Sequence, residues 1–321
     1  MTATSDYLDA ITDQIGREVF GLDQAARALG MARIARGHAL LQGPPGIGKT
    51  LLARSFAAVI GGQFRRIQGT PDLTPSDITG VTVFRPDGSV FEFRAGPIFT
   101  DVLLIDELNR CNPKTQSALL EAMEERQVTV EGEQRELPCG FVVIATQNPF
   151  DFEGTYPLPE SQIDRFLVRL EMSYAARADE GKALAMHATT LHAPLDYESD
   201  QAGAMDKIDK EVNGCRIDQT LIDYVLDIVL ASRQREEVQL GVSTRGARAL
   251  LLMGRINACA EGFDFVRPDD IQTVAPWVLA HRLVLTPEAH LEGLTPQALT
   301  GDLVRTVAVP RQLAAETSVS E

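Results

Sequence analysis

Residues 43 to 50 of this 321-residue chain read GPPGIGKT, an octet suited to holding an anion. Small residues let successive backbone N–H groups close around phosphate oxygens, a lysine in the seventh place reaches the β and γ oxygens, and the hydroxyl after it can bind Mg2+. Lys49 and Thr50 take those two places, and Gly43, Pro44, Pro45, Gly46, Ile47, Gly48 and Leu51 complete the nucleotide-binding stretch. A metal-bound polyphosphate also needs a carboxylate to support the ion and another to orient water. VLLIDE at 102 to 107 offers both at the end of an apolar run, with Asp106 as the Mg2+ support and Glu107 as the water-orienting group. Without the octet those residues read as solvated carboxylates at a strand tip; with it, they point to ATP hydrolysis.

Three further side chains belong to this chemistry. Asn148 follows the apolar run FVVIAT at 141 to 146; its amide could touch the γ-phosphate or the water, or simply form a turn before Pro149. Arg165 lies in SQIDRF, on what should be a short helix beyond that run. Arg245 opens a helical segment with Ser243 as the expected N-cap. A cation in a first helical turn opposes the helix dipole, which hints that Arg245 serves an anion outside its own helix.

These residues need elements to carry them. HALLQG at 38 to 43 reads as a buried strand entering the octet, a helix follows from about Gly48, and residues 24 to 36 suit an amphipathic helix. Further strands are expected at 63 to 68, 101 to 106, 141 to 146 and 166 to 170, each separated by enough chain for a crossover. That alternation implies an α/β fold with a parallel sheet sandwiched by helices. Residues 81 to 94, turning at Asp87-Gly88, and 127 to 137, turning at Glu131-Gly132, read as β-hairpins, either functional inserts or meanders over a sheet edge. Beyond residue 171 helical periodicity takes over, at 221 to 233, 244 to 260 and 269 to 283, with Pro276 expected to kink or break the last. Two domains are therefore expected, an α/β core over 1–171 and an all-helical lid over 172–321.

Bulk properties narrow the function. A formal net charge of −15 argues against general attraction to nucleic acid or anionic membrane. The opening MTATSDYLDA lacks a signal peptide's basic and apolar regions, and no apolar run approaches the roughly 18 residues needed to cross a bilayer, so a soluble cytoplasmic protein is expected. Cys111, Cys139, Cys215 and Cys259 show neither CxxC nor metal-ligand spacing and read as reduced structural thiols.

The segments RRIQGTPDLTPSDITG, GPIF, DELNR, PKTQSALLEAMEERQVTV, ATQNP and EGTYPLPESQIDRF occur in that order, followed by GVSTRGARAL and RPDDIQTVAPWVLAHR. In these blocks the sequence resembles the MoxR family of AAA+ ATPases, densely over about 37 to 170 and least over 187 to 220. The resemblance implies that the two hairpins are the insert in the second helix and the hairpin before sensor 1. It further implies that Asn148 is sensor 1, Arg165 the arginine finger, Arg245 the sensor-2 arginine, and that Arg110 approaches a neighbouring subunit. It implies a homo-oligomeric ring, usually a hexamer, with ATP and Mg2+, acting in chaperone-like remodelling of protein clients, often with a von Willebrand factor A domain partner.

Related ATPases grip DNA with the same hairpins, so a DNA motor or loader is the rival function. Residues 81 to 94 set Arg85 and Arg94 against Asp87 and Glu92, while 127 to 137 set Arg135 against Glu131, Glu133 and Glu136. A DNA-gripping tip wants lysine or arginine, so charge favours a protein client. A nucleotide-gated scaffold without turnover would have lost Glu107, Asn148 or Arg165, and all three are present. A motor subunit of a metal-chelatase-like complex would carry a similar ATPase core.

Overall fold

A computed structural model describes residues 2–86, 90–149, 154–189 and 203–310. The chain forms two compact units, one of Tyr7–Gly203 and one of Met1–Asp6 with Ala204–Glu321.

The first unit runs α1 (Ala3–Gly16), whose opening residues cluster with the second unit, α2 (Asp23–Ile34), β1 (Ala39–Gln42), α3 (Lys49–Val59), β2 (Phe64–Gln68) and α4 (Pro75–Thr79). It continues with β3 (Gly80–Arg85), β4 (Val90–Ala95), β5 (Val102–Asp106), a 3-10 turn (Leu108–Arg110), α5 (Pro113–Glu125), β6 (Gln127–Val130) and β7 (Glu133–Glu136). Then come β8 (Val142–Gln147), α6 (Glu160–Ile163), β9 (Val168–Glu171) and α7 (Arg177–Thr189). Five strands form a parallel sheet in the order β2-β5-β8-β1-β9. Strand β5 is buried throughout and β8 nearly so, the signature of strands covered on both faces. Leu103, Ile105, Leu119, Leu120, Phe141, Val143 and Phe166 pack one side of this core.

Register fixes where the chemistry sits. Gln68 pairs with Asp106 across β2 and β5, and Gln42 pairs with Gln147 across β1 and β8. All four strands therefore end on one edge of the sheet. The chain leaves β1 for β2 at the far edge, and ligands of open parallel sheets lie beyond the strand ends at such switch points.

Both expected hairpins form as separate two-stranded sheets, β3 with β4 and β6 with β7. Glu131 (φ +53°) and Gly132 (φ +84°) turn the second, the paired positive φ of a tight hairpin. The Asp87-Gly88 turn of the first lies outside the described residues. The Arg135 guanidinium sits 3.9 Å above the Phe93 ring and joins the two hairpins.

The second unit contains α8 (Ala204–Gly214), α9 (Gln219–Gln234), β10 (Val238–Leu240), α10 (Thr244–Ala260), α11 (Pro268–Leu279), a 3-10 turn (Ala280–Arg282), β11 (Val284–Leu285), α12 (Pro287–Leu291) and α13 (Pro296–Thr306). Three points add to the expected picture. The unit's described residues are helical apart from an isolated bridge between Arg216 and Phe265 and an antiparallel ribbon of β10 and β11, pairing two segments too short to read alone. Pro276 lies inside α11 without breaking it. An interior proline costs about 3 kcal/mol, but Val274, Ala275, Val278 and Leu279 around it are fully buried, and each large apolar side chain returns about 1.5–3 kcal/mol. Finally, the compact units part after Gly203. Helix α7 stays with the sheet unit, where Lys182 lies over the Phe20 ring and the Asp179 side chain approaches Gly21. No described helix is long and apolar enough to cross a membrane.

Candidate active site

Beyond Gln42 the chain bends through Gly46 (φ +83°) and Gly48 (φ +92°), left-handed positions that glycine occupies without a Cβ penalty. Helix α3 starts at Lys49, and Gly48 at its N-cap supplies no side-chain acceptor to the first turn. Backbone N–H groups and the positive end of the helix dipole therefore face the loop, an arrangement suited to phosphate. Lys49 Nζ donates to the carbonyls of Gly43 (2.6 Å) and Pro44 (3.0 Å). Burial pushes the Lys49 ammonium below its usual range, opposed by the nearby carboxylates of Asp106 and Glu107.

At the end of β5, Asp106 is buried and its two oxygens are used differently. Oδ2 accepts from Thr50 Oγ1 (3.2 Å) and Arg66 Nε (2.7 Å), and Oδ1 accepts from Thr146 Oγ1 (3.2 Å). Glu107 adopts φ +57°, and its N–H donates to Thr146 Oγ1 at 2.9 Å. Its Oε2 accepts from Gln68 Nε2 (3.0 Å) and lies 2.9 Å from Arg110 Nε, a charge contact without hydrogen-bond alignment. Lys49, Thr50, Arg66, Gln68, Asp106, Glu107, Thr146 and Asn148 line one cleft of about 420 Å3, together with Pro45, Gly46, Gly48 and Leu51. That volume lies in the range of small-molecule sites. Thr50 and Asp106 converge as hard oxygen donors, the type that Mg2+ takes, although Asp106 Oδ2 is shared with Arg66.

Of the residues singled out in the sequence, Pro45, Gly46, Gly48, Lys49, Thr50, Leu51, Asp106, Glu107 and Asn148 come together here. Gly43 and Pro44 serve through their carbonyls, and Ile47 packs toward Gly43. Arg165 does not line this cleft. It lies two residues beyond α6, not on it, beside a second cleft lined by Ser117, Glu121, Glu125, Gln127 and Gln162, with Nε 3.3 Å from Glu124 Oε2. Arg245 is exposed in the first turn of α10 in the other unit, where the Ser243 hydroxyl accepts from Gly246 N–H as expected of an N-cap. Arg110, expected near a neighbouring subunit, contacts Glu107 of its own chain.

Arg66, Gln68 and Thr146 belong to the site and escaped the sequence reading. The alternation Arg-Ile-Gln on β2, with Ile67 turned inward, was the available signal. That β2 lies beside β5 is a matter of strand order, which no local pattern reveals. Cys111, close in sequence to Glu107, is buried in the core, and burial pushes its thiol up to about 11. It is no nucleophile at neutral pH.

Comparison with known proteins agrees with this geometry. Residues 38–168 match the family model of the ATPase family associated with various cellular activities (AAA), and residues 230–303 match the AAA lid domain. The chain is 44% identical to the uncharacterized protein YeaC of Bacillus subtilis over 96% of each chain. It is 37% identical to Chaperone MoxR1 of Mycobacterium tuberculosis, covering 97% of this chain and 84% of that one. A crystal structure of a candidate ATPase from Cytophaga hutchinsonii superposes with a TM-score of 0.87 at 32% identity, covering 96% of this chain and 97% of that one. A phosphate cradle facing paired carboxylates, the matched ATPase and lid models, and near full-length similarity to MoxR proteins place this chain in the MoxR family of AAA+ ATPases.

Proposed function

We propose that this protein hydrolyses ATP and uses turnover to remodel protein clients, working as a ring in which each site is completed by its neighbour. The observation that carries the reading is the gathering of Lys49, Thr50, Asp106, Glu107 and Asn148 in one cleft. Lys49 binds the β and γ oxygens, Glu107 orients the attacking water, and Asn148 senses the γ-phosphate. Thr50 and Asp106 would hold Mg2+, which would supply positive charge against the phosphate oxygens. Arg165, lining a separate cleft in its own chain, fits a finger offered to an adjacent subunit. Arg245 is the further nucleotide-sensing cation. A hexamer and a von Willebrand factor A domain partner are the assembly this reading favours, and the acidic hairpin residues Glu131 and Glu133 favour a polypeptide client over DNA.

Nucleotide binding and turnover of two variants test the chemistry. Lys49→Ala should lose ATP binding, whereas Glu107→Gln should bind ATP as the parent does with turnover reduced by about 10² or more. Parent-rate hydrolysis by Glu107→Gln would remove Glu107 from the mechanism. The same variant, holding ATP, is the natural bait for clients and partner.

A further inference from the structure

The geometry points to Glu124 as a positioning residue for Arg165, and this rests on the trans-acting role proposed for that arginine. Arg165 follows a helix of only four residues, so its backbone comes from a short connection and its long side chain needs an external hold. Glu124 Oε2 lies 3.3 Å from Arg165 Nε. A guanidinium has five N–H donors, and a carboxylate at Nε leaves the four terminal ones for a phosphate. Glu121 and Glu125 line the same cleft, but the ion pair is with Glu124.

Glu124 sits in the last turn of α5, a helix anchored at its start and along its buried face. Asn112 caps its start by accepting from Thr115 N–H (3.1 Å). Asn112 Nδ2 (2.7 Å) and Thr115 Oγ1 (2.6 Å) both donate to the Leu73 carbonyl. Gln116 Nε2 donates to the carbonyls of Leu108 (3.3 Å) and Tyr156 (3.1 Å), and Leu119, Leu120 and Met123 are buried. The helix begins at Pro113, shortly after Glu107, and ends at Glu125, one residue past Glu124. One rigid element therefore runs from the water-orienting carboxylate of a subunit's own site to the group that aims its arginine at the next.

Because the pair keeps solvent access, with 30% and 38% of the two side chains exposed, its loss should hardly alter stability; its effect should appear in the aim of Arg165. Glu124→Ala is expected to lower kcat roughly ten- to a hundredfold, the scale of a misplaced catalytic group, with ATP affinity and Tm at parent values. Glu124→Gln should recover part of the rate. The double variant Glu124→Ala/Arg165→Ala should be no slower than Arg165→Ala alone. Mixed rings of Glu124→Ala and Glu107→Gln subunits, with co-assembly checked by pull-down of differently tagged chains, should exceed either parent variant. There an intact Glu107 meets a well-aimed Arg165 from the other subunit. Parent-rate turnover by Glu124→Ala while Arg165→Ala is inactive would overturn the positioning role and leave the proposed function standing. Mixed rings no more active than the variants alone would also overturn it. Parent-rate turnover by Arg165→Ala would overturn the trans reading and this proposal together.

Discussion

Glu107 holds a left-handed backbone, φ +57°, which costs a residue with a Cβ about 1–2 kcal/mol. It is kept there by Thr146, whose hydroxyl accepts from the Glu107 N–H and donates to Asp106. A strained residue so fixed belongs where direction matters, and Glu107 lines the cleft. His38, at the entry to β1, shows the opposite use of a polar side chain. It is buried, Nδ1 accepts from Val143 N–H at 2.9 Å, and Nε2 faces the Met123 carbonyl at 3.2 Å, so the ring is neutral with its proton on Nε2. Burial pushes its pKa down from 6.5 to about 4, partly countered by the Met123 carbonyl. The unfolded chain binds this proton more readily than the folded one. Above pH 6.5 the group is without effect, and stability falls as pH drops from 6.5 toward about 4. Between pH 7.5 and pH 5 the loss from His38 should be about 2 kcal/mol. Urea unfolding at those two pH values should show it in the parent and a smaller loss in His38→Gln.

Helix α5 is capped at its start by a side chain that both accepts and donates. Asn112 accepts from Thr115 N–H through Oδ1 and donates through Nδ2 to the carbonyls of Pro71 and Leu73. Asn112→Ala should cost about 2 kcal/mol, a cap plus a donor lost. Asn112→Asp keeps the cap but turns a carboxylate toward two carbonyls, so it should be no better than alanine, although aspartate is ordinarily a good N-cap. A thermal melt should place both variants roughly 4–8 °C below the parent; an Asn112→Asp protein as stable as the parent would show that the donor is idle. The strands around this helix were legible because buried parallel strands are short apolar runs, and observed and expected limits differ by one or two residues. Arg165 was expected on a helix and lies just past a four-residue one, since short helices take their ends from tertiary packing rather than propensity.

At the scale of the whole molecule, charge is the property most open to test. With a net −15 and acidic residues in the second hairpin, labelled single- and double-stranded oligonucleotides should show no salt-dependent binding by fluorescence anisotropy at low salt. Submicromolar affinity with a steep salt slope would favour a DNA motor instead. The sequence alone determined the phosphate cradle, the paired carboxylates and the alternation that demands a parallel sheet, because each is written in residues adjacent along the chain. Only the tertiary structure decided which groups share the cleft. Strand order puts β2 beside β5, brings Arg66 to Asp106 and Gln68 to Glu107, and sets Arg165 beside Glu124 in a different cleft. Packing of distant segments chooses those neighbours, and a one-dimensional pattern holds no record of which strand ends lie side by side.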